Sequence, residues 1–214
     1  MPRLPRFAIA LLILTVCTSC ARRPDPNTLV MIIESSPANL DPRIGTDSFS
    51  ERIDMLLFDS LLKRDPHFNL QPSLAQSWEI PDPLTYIFHL RRGVHFHDGR
   101  SLTARDVKWT IDSMLNGTVR SAKSATYQYV AAIDAPDVAT VIFHLKEPFA
   151  ALLWNLSDGA FGVVPYGSGS DFNLHPVGSG PFRFVSLQQD KEAILERNPD
   201  YWDAARTPRC RWKM

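Results

Sequence analysis

Two histidines and an aspartate within four residues are the first chemistry this sequence offers: His95, His97 and Asp98, in Val94-His-Phe-His-Asp98. In extended backbone, residues two apart share a face, so His95 and His97 would point the same way beside a carboxylate. That set suits a divalent metal in a secreted hydrolase. The competing reading is two histidines flanking a turn, solvated or hydrogen-bonded, because no Glu-x-x-His motif accompanies them and no third histidine adjoins the pair. The second reading is preferred, and no metal and no cofactor are expected. Ser179, between Gly178 and Gly180, has the look of a nucleophile. However, Val-Gly-Ser-Gly-Pro lacks the G-x-S-x-G spacing of a nucleophile elbow and the context of a phosphate loop. It reads as a backbone turn whose glycines permit close approach.

The elements that carry these residues follow from hydrophobic period. Tyr86, Phe88 and Leu90 alternate with Ile87 and His89, which predicts a strand. Asp98-Gly99 supplies a turn. Thr103 and Asp106 then form a capping-box pair ahead of Ala104, Val107, Ile111 and Met114 at helical spacing, and Asn116-Gly117 ends that helix.

Upstream, the apolar run Leu29–Ile33 predicts a strand buried on both faces, as in a parallel sheet. Ser48 and Glu51 predict a second capping box, followed by a stripe of Ile53, Leu57 and Leu61. Pro72–Trp78 reads as a short turn or helix that packs Leu74 and Trp78 inward. Tyr127–Ile133 fits helix or strand. Thr140–Leu145 alternates as a strand, and Pro148 opens a short helix through Leu156. Phe182–Leu187 and Glu192–Glu196 predict two strands joined at Gln189–Lys191. The Gly/Ser-rich loop Tyr166–Ser170 is the best place for a subdomain boundary. Trp78, Trp109, Trp154 and Trp202 are assigned to packing.

Composition is that of an ordinary globular protein: 44% hydrophobic, 21% charged, with 23 basic and 23 acidic side chains. That balance speaks against a nucleic-acid partner. Arg3 and Arg6 precede the apolar run Phe7–Leu14, which falls short of the ~20 residues a bilayer span needs. A basic start, a short apolar stretch and small residues before Cys20 describe a secretory signal; a single membrane anchor is the alternative. Cleavage before Cys20 takes the basic residues from 23 to 21 against 23 acids, a net charge of −2. Arg22–Pro26 reads as a tether. Of the three cysteines, Cys17, Cys20 and Cys210, only the last two would remain.

Thr18-Ser19-Cys20 resembles the end of a bacterial lipobox, with Cys17 where Leu is usual. Further in, five stretches resemble, in order, the signatures of the family 5 extracellular solute-binding proteins, the peptide-, dipeptide- and nickel-binding receptors of bacterial ABC importers. They are Leu40-Asp-Pro42; Pro72–Trp78; Phe88–Gly99 with Leu102–Val107; Pro176-Val-Gly-Ser-Gly-Pro-Phe182; and Leu195–Trp202. Phe58-Asp-Ser-Leu61 departs mildly from the family's Tyr-Glu-x-Leu.

The resemblance implies an α/β, mixed α+β chain: a periplasmic-binding-protein-like lobe with an inserted α+β subdomain and the second lobe missing. The implied division is a lipoprotein signal over 1–20, a tether over 21–28, a first lobe segment over 29–58, the insertion over 59–170, and a truncated return segment over 171–214. Lipid would attach at Cys20, leaving no intrachain disulfide. An extended peptide-like solute would lie between two lobes, and Thr46 and Ser48 are the ligand-facing candidates. Implied partners are the solute, an ABC permease and ATPase, and the membrane through the lipid anchor. The protein would be a periplasmic or cell-surface monomer and not an enzyme. The rivals are a metal-dependent hydrolase using His95 and His97, and a remnant that binds nothing.

Overall fold

The structure, a computed structural model, describes residues 28–30 and 35–204. Among the described residues, nine strands form three sheets, joined by three α-helices and two 3-10 turns. The largest sheet has the order β4-β5-β7-β6, built from β4 (Ala75–Asp82), β5 (Thr85–Leu90), β6 (Val130–Asp134) and β7 (Thr140–Leu145), all antiparallel. Alternation explains it: Tyr86, Phe88 and Leu90 on β5, and Val141, Phe143 and Leu145 on β7, are buried. Phe88 and Phe143 meet edge to face, with centroids 5.4 Å apart. Helix α2 (Ala104–Leu115) lays Val107, Ile111 and Met114 into the same core.

Both ends of α2 form as the sequence predicts. The Asp106 carboxylate accepts from the Thr103 N–H and hydroxyl, each at 2.7 Å. Past the C-terminus, Gly117 takes φ +79°, a conformation only glycine adopts without strain. The region left open as helix or strand, Tyr127–Ile133, is mainly strand: a 3-10 turn over Ala122–Tyr127 ends at its first residue and β6 takes up Val130–Ile133.

The chain termini of the described region build a second, smaller sheet. Strand β8 (Phe182–Gln188) and strand β9 (Glu192–Arg197) form the expected hairpin, with Asp190 at φ 57° in the turn. β1 (Thr28–Val30) pairs with β9 antiparallel, not parallel as the apolar run Leu29–Ile33 suggested. A continuous apolar run reports burial on both faces but carries no information on strand direction. Helix α1 (Ser48–Leu57) packs on this sheet: Ile53, Leu57 and Phe58 join Leu40, Val164, Phe172, Phe182 and Leu195 in a second apolar cluster.

Two further expectations are corrected. The N-cap of α1 is Asp47, not Ser48: the Asp47 carboxylate accepts from Phe49 N–H at 3.1 Å and Ser50 N–H at 2.8 Å. Aspartate is as good a cap as serine, and it stands one residue earlier. Pro72–Trp78 is neither turn nor helix but the passage from β3 (Leu70–Pro72), which pairs with β2 (Leu62–Arg64), into β4. Leu74 is nonetheless buried, and Trp78 packs on the larger core. The short helix after Pro148 is α3 (Ala151–Asn155), whose Leu152 is buried.

Candidate functional site

The residues singled out for chemistry occupy three different environments. Cys20, with Cys17 and Cys210, lies outside the described residues. Thr46 and Ser48 are both exposed, on either side of the Asp47 cap. His95 and His97 do lie on one side of their extended segment, opposite the buried Val94 and Phe96. Their surroundings differ: His95 is exposed and His97 is half-buried.

His97 is committed to the backbone. Its Nδ1 accepts from Gly178 N–H at 3.1 Å, which fixes the proton on Nε2, and Nε2 donates to the Gly180 carbonyl at 3.1 Å. The His97 N–H also donates to the Gly178 carbonyl at 2.8 Å. Burial lowers the ring pKa to about 4. A ring with both nitrogens engaged has no lone pair left for a metal.

Ser179 is equally committed. It is fully buried, and its hydroxyl donates to Asp59 Oδ2 at 2.9 Å. Asp59 also accepts from Tyr201 OH at 2.9 Å and Trp202 Nε1 at 2.9 Å. Burial pushes the Asp59 carboxyl pKa up, against the three donors. Asp59 is one of the two residues, with Phe58, at which Phe58-Asp-Ser-Leu61 departs from its family pattern, and it ties together the end of α1, the glycine turn and the Tyr201-Trp202 pair. The flanking glycines are required by contact: a Cβ on Gly178 would stand 1.8 Å from the Leu57 carbonyl oxygen.

The cavity with the best set of convergent polar groups lies elsewhere, between α1, the 3-10 turn over 122–127 and the segment that follows α3. Its volume is about 140 Å³, and Glu51, Lys123, Asn155 and Asp158 line it with Tyr127 and Phe161. That is room for one side chain or terminal group, not for a whole solute, which needs ~300 Å³ or more. Pro42, the last residue of the Leu40-Asp-Pro42 stretch, lines it together with Arg43. Asp41 and Arg43 form an ion pair at 2.7 Å with both side chains fully buried. Arg43 further donates to Ser113 Oγ at 3.2 Å and to the carbonyls of Ser168 at 3.1 Å and Gly169 at 3.2 Å. The Ser121 hydroxyl donates to the Arg43 carbonyl. Lys123 Nζ donates to the carbonyls of Pro42 at 2.9 Å and Ala160 at 3.4 Å.

Behind Glu51 on α1, Asp54 is fully buried, and neither carboxylate oxygen has a hydrogen-bond partner. Burial raises its pKa to about 8, with Lys123 pulling the other way. Sequence reasoning gave Glu51 only a helix-capping role and passed over Asp54, Lys123, Asn155 and Asp158. The one signal available was Asp54 itself, a carboxylate beside Ile53 on the apolar stripe of an amphipathic helix.

Comparison with known proteins agrees with this architecture. The model of the "Bacterial extracellular solute-binding proteins, family 5 Middle" matches residues 69–211. The Glutathione-binding protein GsiB of Pectobacterium atrosepticum is 33% identical over 180 residues, covering 82% of this chain and 35% of the relative. The Di/tripeptide-binding protein 2 of Pseudomonas aeruginosa is 30% identical, covering 92% of this chain and 43% of the relative. Among solved structures, the oligopeptide-binding protein AppA from Bacillus subtilis, in complex with a nonapeptide, superposes with a TM-score of 0.73 at 29% identity. That match covers 79% of this chain and 36% of AppA. These relatives are named as binding proteins, not enzymes, and the chain spans well under half the length of each. With the fold of periplasmic-binding-protein relatives and a family match over two-thirds of its length, the chain belongs to the bacterial extracellular solute-binding proteins of family 5.

Proposed function

We propose that this chain is part of an extracytoplasmic receptor that captures a peptide-like solute for an ABC importer, by binding and without bond-making. The observation that carries the reading is the cavity lined by Pro42, the last residue of the Leu40-Asp-Pro42 signature, and by Arg43, which its buried ion pair with Asp41 holds in place. The names of the relatives supply the solute class, since glutathione, di/tripeptides and a nonapeptide are all peptides. The cavity would hold one group of the solute. Thr46 and Ser48, exposed at the start of α1, would face the remainder.

The proposed division of the chain is 29–58 with 171–214 as the lobe and 59–170 as the insertion. It is supported by the two apolar clusters, the smaller centred on Leu57, Phe182 and Leu195, the larger on the β4–β7 sheet. Lipid on Cys20 would hold the receptor at the membrane as a monomer, with the permease and ATPase as partners.

Two experiments test this. The thermal midpoint of the full chain is followed with glutathione, dipeptides and tripeptides at millimolar concentration; a ligand that binds the folded state raises it. No rise with any peptide removes the solute class. Cys20→Ala is followed by membrane fractionation and fatty-acid labelling; unchanged labelling removes the anchor, and loss only in Cys17→Ala moves it.

A further inference from the structure

One asparagine stands apart from the others. Asn116 is the only asparagine in the sequence followed by glycine. It caps the C-terminus of α2, and Asn116, Gly117 and Thr118 are all exposed. The Asn116 side-chain carbonyl accepts from Thr118 N–H at 2.9 Å, which folds the side chain back over the Gly117 peptide. Gly117 N–H makes no hydrogen bond among the described residues. Nothing lies within 4 Å of where a Cβ on Gly117 would stand. An amide carbon therefore has beside it a backbone nitrogen that is neither bonded nor shielded.

We propose that Asn116 is a site of spontaneous self-modification that loosens the segment after α2. Hydroxide takes the Gly117 N–H proton, and the nitrogen attacks Asn116 Cγ. The Cγ–Nδ2 bond breaks, and Nδ2 leaves as ammonia with a proton from water. A succinimide closes between the two residues. Water then adds to one of its two carbonyls and opens the ring, to aspartate or to isoaspartate at position 116. With Asn116 at ψ 0°, the peptide plane turns before the nitrogen faces Cγ. That turn releases Thr118 N–H from Asn116 Oδ1 and Val119 N–H from the Ser113 carbonyl, the latter at 2.7 Å. Helix ends open in this way at low cost.

Other positions open to the same reaction are held back. Asn39, Asn69, Asn155 and Asn173 precede leucine and Asn27 precedes threonine, whose side chains crowd the nitrogen. Asn198 precedes Pro199, which has no N–H. The two Asp-Gly pairs, Asp98-Gly99 and Asp158-Gly159, offer carboxylates, poor electrophiles while ionised. Gly99 also commits its N–H to the Phe96 carbonyl at 2.9 Å, and a Cβ on Gly159 would stand 2.9 Å from the Met55 side chain that covers it. Conversion at Asn116 acts on its surroundings in two ways. A carboxylate there meets the negative end of the α2 dipole, with Asp112 one turn back. Isoaspartate lengthens the main chain just where Gly117 turns it. The segment beyond carries Ser121 and Lys123, which hold the carbonyls of Arg43 and Pro42.

The test incubates the full chain at pH 6 and pH 9 in ¹⁸O-labelled water and maps isoaspartate by digestion and mass spectrometry. Conversion is expected at residue 116 with uptake of the heavy oxygen, at least tenfold faster at pH 9 than at pH 6. It is at least tenfold slower in Gly117→Ala. A parallel sample in urea reports the reaction without the fold. Isoaspartate at residue 116 in urea but not in the native chain overturns the site, and so does native conversion that starts at Asp98 or Asp158 instead. The converted fraction, separated by ion exchange, is expected to melt below fresh protein. Asn116→Asp, which adds the charge without lengthening the main chain, falls between the two. A converted fraction as stable as fresh protein overturns the loosening.

Discussion

Gly178 donates its N–H to His97 Nδ1 at 3.1 Å, so a ring on the strand-and-turn segment of the large core acts as acceptor for the glycine turn of the smaller one. The bond exists only while the ring is neutral. The folded ring protonates near pH 4, the unfolded one near 6.5. Between those values the unfolded state binds more protons, so stability is full above 6.5 and falls as pH drops towards 4. The loss expected is about 3 kcal/mol. Urea midpoints at pH 7, 5.5 and 4.5 check it, and the decline is shallower in His97→Gln.

Asp54 titrates with the opposite sign. Its carboxyl ionises near pH 8 when folded, against 3.8 as the ordinary value. From pH 4 to 8 the folded state holds the extra proton, so this residue's penalty grows as pH rises, with a slope of up to about 1.4 kcal/mol per pH unit. Asp54→Asn removes the penalty. The variant is therefore more stable than wild type at pH 8 and close to it at pH 4.5. Thermal midpoints at both pH values decide, and an equal shift at the two would sink the idea.

Asp59 serves three donors, and its loss strands all of them. Asp59→Ala leaves Ser179 Oγ, Tyr201 OH and Trp202 Nε1 without an acceptor, at a cost of about 3 kcal/mol or more. Asp59→Asn retains one acceptor oxygen and costs less. Denaturation followed by Trp202 fluorescence, with the other tryptophans replaced by phenylalanine, ranks the two variants.

The glycines separate into two kinds. Gly178→Ala drives a Cβ to 1.8 Å from the Leu57 carbonyl oxygen, backbone that has no room to yield. A loss above about 4 kcal/mol is expected. Gly93 has φ +77° and open space around it, so Gly93→Ala costs only the left-handed conformation, about 1 kcal/mol. Chemical denaturation of both variants tests the contrast.

What the sequence made legible was period and punctuation. Tyr86, Phe88 and Leu90 announced β5 by alternation, and Thr103 with Asp106 announced α2, because both signals are local. Pro72–Trp78 misled because Leu74 and Trp78, four apart, satisfy a helical spacing while the chain passes through two strands. Asp47 was overlooked because Ser48 and Glu51 offered a more familiar capping pair one residue later. The cavity was beyond reach for a different reason. Glu51, Lys123 and Asp158 are distributed over more than a hundred residues and meet only through the packing of α1 against two later loops. Ser179 and His97 drew attention for their reactivity, and both turned out to be spent on holding the glycine turn.

The antiparallel pairing of Thr28–Val30 with Ile194–Glu196 fixes an order of assembly. The β4–β7 sheet lies within residues 75–145 and has every strand available as soon as that segment leaves the ribosome. The smaller sheet joins positions more than 160 residues apart, so its first strand waits without a partner while the intervening residues are synthesised. At ~5–20 residues per second that interval is about 8 s or longer. An apolar strand with an open edge is a template for unwanted pairing during such a wait. Thr28–Val30 is therefore the strand of this fold most open to mispairing before residues 194–196 are made.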